Sequence, residues 1–399
     1  MRIEDVEGFN SFSDKYSLEL YPHDVMVNIV NEFKSHVRCG FELEGNSTLP
    51  YELTCPRCGN KVTIHEYDQL HHIINYLICN GKSSWYKQAM KIYWDGSVDT
   101  ELVTTPLKVD EIEMGLTFFT GLLRFMGVDL RPTTRAGGHQ TISVGTRLPD
   151  VVLANVEQLS RRFAPTLVRV GCSPYDTYRR SERFRYLNQS PIYNYPLDGW
   201  EEKYRFVHFK DYTKATGIEF RYPDALPPKY NYVSAILNMA LVWKALKITL
   251  KHGKVIVWEN ELIRKRRHAY ELMICESIDE DGEYMASNDY WVYNHNTHDD
   301  LTDTEVSKWL SGHWWYYRED DEALFKLLKR EIKALTGRPF NKWYKHVYNY
   351  RGMLDYNTIG FNIDELFECE HQPTINDGDP EFTIDVEVPR NIRIIRRVL

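Results

Sequence analysis

The sequence has no basic surplus, no uninterrupted apolar run of bilayer length, no internal repeat and no low-complexity tract. Its 49 Lys and Arg stand against 57 Asp and Glu, for a net charge of −8 at pH 7. Gripping a nucleic-acid backbone depends on neutralising phosphates, so a general nucleic-acid-binding role is disfavoured. The local basic runs from Arg264 to His268 and from Arg390 to Arg397 read as a solvated helix face and a charged tail. A membrane helix needs ~20 consecutive apolar residues, and none is expected here. The start, MRIEDVEGFN, lacks the apolar core of a signal peptide, so no membrane partner and a cytoplasmic location are expected. Cysteine is sparse and odd in number, seven in 399 residues, which speaks against a disulfide framework.

What is present is the material of a large globular unit. Hydrophobic residues make up 43% and charged residues 27%, and the 27 Tyr and 10 Trp predict a core filled by large rings. A length of 399 residues exceeds the ~100–200 of a single domain. The pattern divides into a main unit over 1–250 with an insertion at 46–90, a mainly helical extension over 251–370 and a polar tail over 371–399.

Periodicity fills in the main unit. Val25, Ile29, Val30 and Phe33 are spaced for a helix, and Arg38 to Glu44 reads as a strand. Asp95-Gly96 is a hairpin turn between Ile92 and Val98, and a strand over Glu101–Thr105 ends at Pro106. A helix is expected over 109–127, a strand over 137–144 and a helix over about 150–162. Strands are expected over 203–209 and 217–222, and Pro227-Pro228 introduces a long apolar helix. Farther on, 322–335 is helical in pattern.

Acidic residues on strands carry the chemistry. Glu42 and Glu44 are two apart, so an extended backbone projects both from one face. Two carboxylates side by side repel, and burying them costs several kcal/mol without a compensating cation. Magnesium supplies one, since it prefers carboxylate oxygens and substrate phosphates. The motif alone reads as a solvated strand face, but it recurs. Asp95 and Glu101 flank a second hairpin, His139 follows two glycines, and Glu219 and Arg221 are again two apart. Ile218 and Phe220 then point the other way, into apolar packing.

These segments, in this order, resemble a known family. Gly217-Ile-Glu-Phe-Arg-Tyr-Pro-Asp-Ala225, followed by Asn231-Tyr232 and an apolar helix, resembles the end of the glutamine synthetase catalytic domain. Gly137-Gly-His-Gln-Thr-Ile-Ser143 resembles that superfamily's histidine strand. Gly40-Phe-Glu-Leu-Glu44, Asp95-Gly-Ser-Val98 and Glu101-Leu-Val-Thr-Thr-Pro106 are similar to the amidoligase branch, whose members are widespread in phages and bacteria. The location is then the host cytoplasm if the source is viral. The resemblance covers about residues 38–250.

The resemblance implies an α+β fold with a glutamine-synthetase-like catalytic domain, a curved antiparallel sheet backed by helices. It implies an ATP- and Mg2+-dependent carboxylate–amine ligase of the glutamine synthetase and glutamate–cysteine ligase type. By position, Glu42, Glu44, Glu101 and Glu219 would hold magnesium. His139 would contact phosphates or a metal, and Arg221 would steady the transferred phosphoryl group or a substrate carboxylate. Arg205 matches a basic position ahead of the last strand and is a phosphate candidate. Arg183 and Arg185 are candidates for phosphate or carboxylate binding, with solvated charges as the equal alternative. Asp95 is a nucleotide-site candidate whose place in Asp-Gly is equally explained by the turn. The implied partners are small-molecule amine and carboxylate substrates or a modified macromolecule, with a homo-oligomer among the implied assemblies. No separate N-terminal domain or ammonia-site loop of glutamine synthetase is recognisable, so an amine larger than ammonia is expected.

Cys55-Pro-Arg-Cys58-Gly59 resembles a zinc-knuckle turn. A structural Zn2+ site needs four ligands, and Cys39, His65, His71, His72 and Cys79 are the candidates to complete it, with His71 and Cys79 preferred. A small insertion gains folding energy from a metal that its own core could not supply. Two further readings remain open. One keeps the fold but phosphorylates a guanidino or amine acceptor. The other is a non-catalytic zinc-containing binding protein, against which the retained acidic residues count.

Overall fold

In a computed structural model of the chain, residues 23–47, 49–54, 61–80, 88–95, 98–130, 136–171, 205–226, 228–256, 322–337, 368–369 and 392–393 are described. The chain enters through helices α1 (His23–Asn31) and α2 (Phe33–His36), then the ten-residue strand β1 (Arg38–Ser47). A small hairpin of β2 (Tyr51–Thr54) and β3 (Lys61–Ile64) leads into α3 (Tyr67–Asn80). The hairpin of β4 (Ala89–Asp95) and β5 (Val98–Thr104) precedes α4 (Ile112–Phe125), β6 (Val128–Asp129), β7 (Gly138–Ser143) and α5 (Asp150–Gly171). After β8 (Val207–Asp211) and β9 (Thr216–Phe220) comes α6 (Pro228–His252). A further helix, α7, spans 322–336, and β10 (Glu368–Cys369) pairs with β11 (Ile392–Arg393).

The strands assemble into one seven-stranded sheet in the order β4-β5-β1-β7-β9-β8, with β6 added to the end of β1. Every pairing in it is antiparallel. Antiparallel sheets accept different surroundings on their two faces, because successive side chains alternate. Here Phe41, Leu43, Leu102, Ile142, Ile218 and Phe220 are buried on one face and join a single core with the helices. Each fully buried side chain of this kind stabilises the fold by ~1.5–3 kcal/mol.

Polar contacts show which helix lies on that face. The Gln140 side-chain carbonyl accepts hydrogen bonds from Asn238 Nδ2 at 3.0 Å and Ser234 Oγ at 3.4 Å, both on α6. The Tyr222 hydroxyl donates to Asn238 Oδ1 at 2.7 Å, so this buried polar group has partners rather than a desolvation penalty. α6 packs in turn on α5, α4 and α1. The buried Glu331 of α7 accepts from Lys247 of α6 at 2.8 Å.

Two sequence expectations are amended. α6 does reach the length and apolarity of a membrane span, yet 83% of its most apolar stretch is buried inside the protein, as befits a central core helix. α5 runs nine residues past the expected end at 162, continuing through Pro165 because Ala164, Leu167 and Val168 are fully packed beyond it. Most of the expected helical extension and all of the tail except β11 lie outside the described residues.

Glycine matters at two joints. Gly127 ends α4 with φ of +79°, where the Tyr51 ring would lie 2.5 Å from an added Cβ. At Gly138 a Cβ would fall 2.3 Å from the Asp224 carbonyl oxygen, so only glycine lets β7 run this close to the loop after β9.

Candidate active site

β1 sets the pattern of the polar face. Glu42 and Glu44 alternate with Phe41 and Leu43, each 1% exposed on the core side. Register then extends the row: Glu44 lies opposite Glu101 of β5, and Glu42 opposite His139 of β7. Glu219 of β9 lies opposite Thr141 of β7 and His208 of β8. Directly opposed residues share a face with Cβ atoms ~4.5–5.5 Å apart, so like charges there need compensation. Glu44, Glu101, His139 and Glu219 are all buried.

The contacts are close. His139 Nδ1 stands 3.0 Å from Glu42 Oε2 and 3.7 Å from both Glu44 Oε1 and Glu219 Oε1. Glu219 Oε2 is 2.9 Å from His208 Nδ1, and its Oε1 is 3.1 Å from Arg221 Nη1. The Gly137 backbone N–H donates a short hydrogen bond to Glu44 Oε2. Lys210 Nζ bridges Glu42 Oε1 at 2.8 Å and Glu219 Oε1 at 2.9 Å.

These contacts set the charge states. Burial alone would raise the Glu219 pKa. The His208 hydrogen bond and the attraction of Arg221 and His139 outweigh burial and hold it down at about 2. Burial opposes the charge on Lys210, but Glu219 and Glu42 outweigh that and push its pKa up. Both groups are therefore ionised at neutral pH.

Glu42, His139 and Glu219 offer ligand atoms that all lie within 4.8 Å of one another. The carboxylate oxygens of Glu42 and Glu219 suit a hard divalent cation such as Mg2+, so they fit the implied metal, while the His139 imidazole adds a donor more usual for transition metals. Glu44, whose Oε1 lies close to His139, and Glu101 opposite it extend the acidic wall.

The remaining candidates are placed elsewhere or fall outside the described residues. Arg205 is buried just ahead of β8, where its charge and that of Arg161 act on Glu157 of α5. Burial still dominates there and raises the Glu157 carboxyl to about 6. Asp95 ends β4 opposite Val98; its side chain is outside the described residues. Arg183, Arg185, Cys55, Cys58 and the Cys79 side chain are also outside them. His71 turns toward the sheet, with Nε2 3.2 Å from Thr100 Oγ1, and burial lowers its pKa against the opposing pull of Asp99 and Asp68. Cys39 is fully buried in the core and its thiol pKa is pushed up by that burial, which makes it a poor zinc ligand.

Two site residues, His208 and Lys210, were not anticipated. The signal was the alternation Val207-His208-Phe209-Lys210, which places the two polar residues on one face.

No family model matches the sequence, and no curated protein matches it. Among solved structures the chain is similar to the crystal structure of the complex between the prokaryotic ubiquitin-like protein Pup and its ligase PafA. That likeness has a TM-score of 0.34 and 11% identity, over 83% of this chain and 73% of that one. A likeness that slight bears on neither the fold nor the activity of this protein.

Proposed function

We propose that the protein is an ATP-dependent carboxylate–amine ligase. The observation that carries this is the convergence of Glu42, Glu44, Glu101, His139, Glu219 and Arg221 from four adjacent antiparallel strands, and the end of one of them, on a single polar face. The order of the motifs along the chain, and their resemblance to the amidoligase and glutamine synthetase superfamily, supports the same reading.

Glu42, His139 and Glu219, joined by Glu44 and Glu101, would hold Mg2+, whose chemistry is to offset charge on nucleotide phosphates. Arg221 is tied to the face by its ion pair with Glu219, and it steadies the transferred phosphoryl group or the substrate carboxylate. A carboxylate is a poor acyl donor because oxide is a poor leaving group. Phosphorylation by ATP converts it to an acyl phosphate, the amine attacks the carbonyl carbon, and inorganic phosphate departs to leave an amide. Positioning and electrostatics suffice for such a reaction, and no protein nucleophile is assigned.

The same proposal includes a catalytic unit over 1–250, a structural zinc held by Cys55 and Cys58, a cytoplasmic location, and an amine larger than ammonia. The test is release of ADP and phosphate by the full chain with Mg2+, screened against mixtures of amino acids and polyamines. Amine-stimulated release of both, lost in Glu44→Gln, together with a product carrying a new amide, is the expected result. ADP with a phosphorylated acceptor and no free phosphate would replace the ligase with a phosphotransferase. Absence of any nucleotide binding would leave a non-catalytic binding protein.

A further inference from the structure

Lys210 occupies a place that an acidic metal face does not require. Its ammonium lies 2.8 Å from Glu42 Oε1 and 2.9 Å from Glu219 Oε1, both distances of strong charge-assisted hydrogen bonds. Those two carboxylates are also two of the three groups whose ligand atoms gather within 4.8 Å. One cation, tethered to β8, already bridges two of the carboxylates that a divalent ion would use.

The two cations exclude each other. Mg2+ bonds carboxylate oxygens at ~2.0–2.1 Å, so an ion held by the same two carboxylates would stand against the Lys210 ammonium, with like charge. Lysine is suited to yielding, because its charge sits on a flexible four-carbon stem rather than in a rigid fork. Its side chain keeps 26% of its surface exposed, so it has an outward path, whereas that of Glu219 has none. Glu219 would not be stranded when the ammonium leaves, because Arg221 at 3.1 Å and His208 at 2.9 Å remain.

We propose that Lys210 is an exchangeable counter-cation. It bridges Glu42 and Glu219 in the metal-free protein, and a divalent ion arriving at Glu42, His139 and Glu219 displaces its ammonium toward the anionic group bound with that ion. The proposal rests on the metal reading of this face. It explains how two neighbouring carboxylates stay neutralised before a metal arrives. It also places a mobile positive charge where the negative charge of a bound phosphate must be offset.

The experiment is a titration of the full-length protein with Mn2+, read by electron paramagnetic resonance, for wild type, Lys210→Gln and Lys210→Arg. Removing the competing charge is expected to tighten Mn2+ binding roughly tenfold in Lys210→Gln, while Lys210→Arg, which keeps a cation, is no tighter than wild type. A second arm needs no substitution: acetylation of Lys210 by acetic anhydride, followed by peptide mass spectrometry, is expected to speed up severalfold at saturating Mn2+. Equal Mn2+ affinity in wild type and Lys210→Gln, or an acetylation rate unchanged by bound Mn2+, overturns the exchange while leaving the metal site standing. Binding by Lys210→Gln alone also overturns it, leaving Lys210 a permanent counter-ion. Binding by neither protein removes the metal reading and the exchange together. If Lys210→Gln does not fold, the acetylation arm on wild type decides.

Discussion

Alternate residues of β1, β7 and β9 meet opposite surroundings. Phe41, Leu43, Ile142, Ile218 and Phe220 face the helices, whereas Glu42, Glu44, His139 and Glu219 face one another. The first set is held by burial, which is non-directional and tolerates an exchange of similar volume. The second is held by individual pairs at 2.8–3.7 Å, in which each charge depends on a named partner. The same strands thus separate stability from chemistry by the direction in which a side chain points. Substitutions on the two faces should fail in different ways.

The largest effect is expected on the apolar face. Phe220→Ala removes a fully buried ring and should cost ~3–5 kcal/mol in denaturant unfolding, while the protein that remains folded still binds Mn2+. Comparable loss of Mn2+ binding by folded Phe220→Ala would break the separation between the faces. On the polar face, Glu219→Gln should lower Mg2+-dependent ATP turnover by more than about a hundredfold, or ~2.7 kcal/mol, measured on protein verified as folded by circular dichroism.

A third test concerns a buried charge away from the site. Glu157 is raised from an ordinary 4.5 to about 6, first by burial, against the opposing charges of Arg161 and Arg205. Its folded form therefore holds a proton more tightly than the unfolded chain does. The stabilisation is full below about 4.5 and is lost as pH rises through about 6, on the order of 2 kcal/mol. Glu157→Gln should flatten the stability profile across that window, and an unchanged slope would remove Glu157 as its cause. The smallest effect is expected at the exposed Lys61–Glu52 pair of the β2–β3 hairpin. Lys61→Ala should change stability by less than ~1 kcal/mol and leave metal binding as it was.

How much of this was legible in the sequence follows from the same alternation. Glu-x-Glu at 42–44 and Glu-x-Arg at 219–221 could be placed on one face because period two is set by extended backbone itself. The Asp-Gly signal at 95–96 pointed to the pairing of β4 with β5, and β5 carries Glu101 opposite Glu44 of β1. Of the two residues missed, Lys210 lay beyond one expected boundary, whereas His208 lay inside the expected strand. A strand expected over 203–209 begins instead at Val207 and runs to Asp211. That offset left Lys210, which bridges Glu42 and Glu219, outside the expected strand, and Arg205, matched by the family resemblance, lies buried near Glu157 instead. Strand ends depend on the pairing partner, here the Lys210–Gly217 and Asp211–Thr216 positions, and local composition does not contain that information. The length of α5 was hidden for a related reason. Its charged and polar residues Glu157, Gln158 and Arg161 are buried by tertiary packing, so its sequence lacks a clear solvent face.

The central claim is that this polar face binds a nucleotide through a divalent metal. Calorimetric titration of a non-hydrolysable ATP analogue into wild type and Glu219→Gln, with and without Mg2+, tests it most directly. Binding that requires Mg2+ in wild type and disappears in folded Glu219→Gln is the predicted result. Wild-type protein that takes up no analogue with Mg2+ present, or Glu219→Gln that binds it as tightly as wild type, would contradict the account.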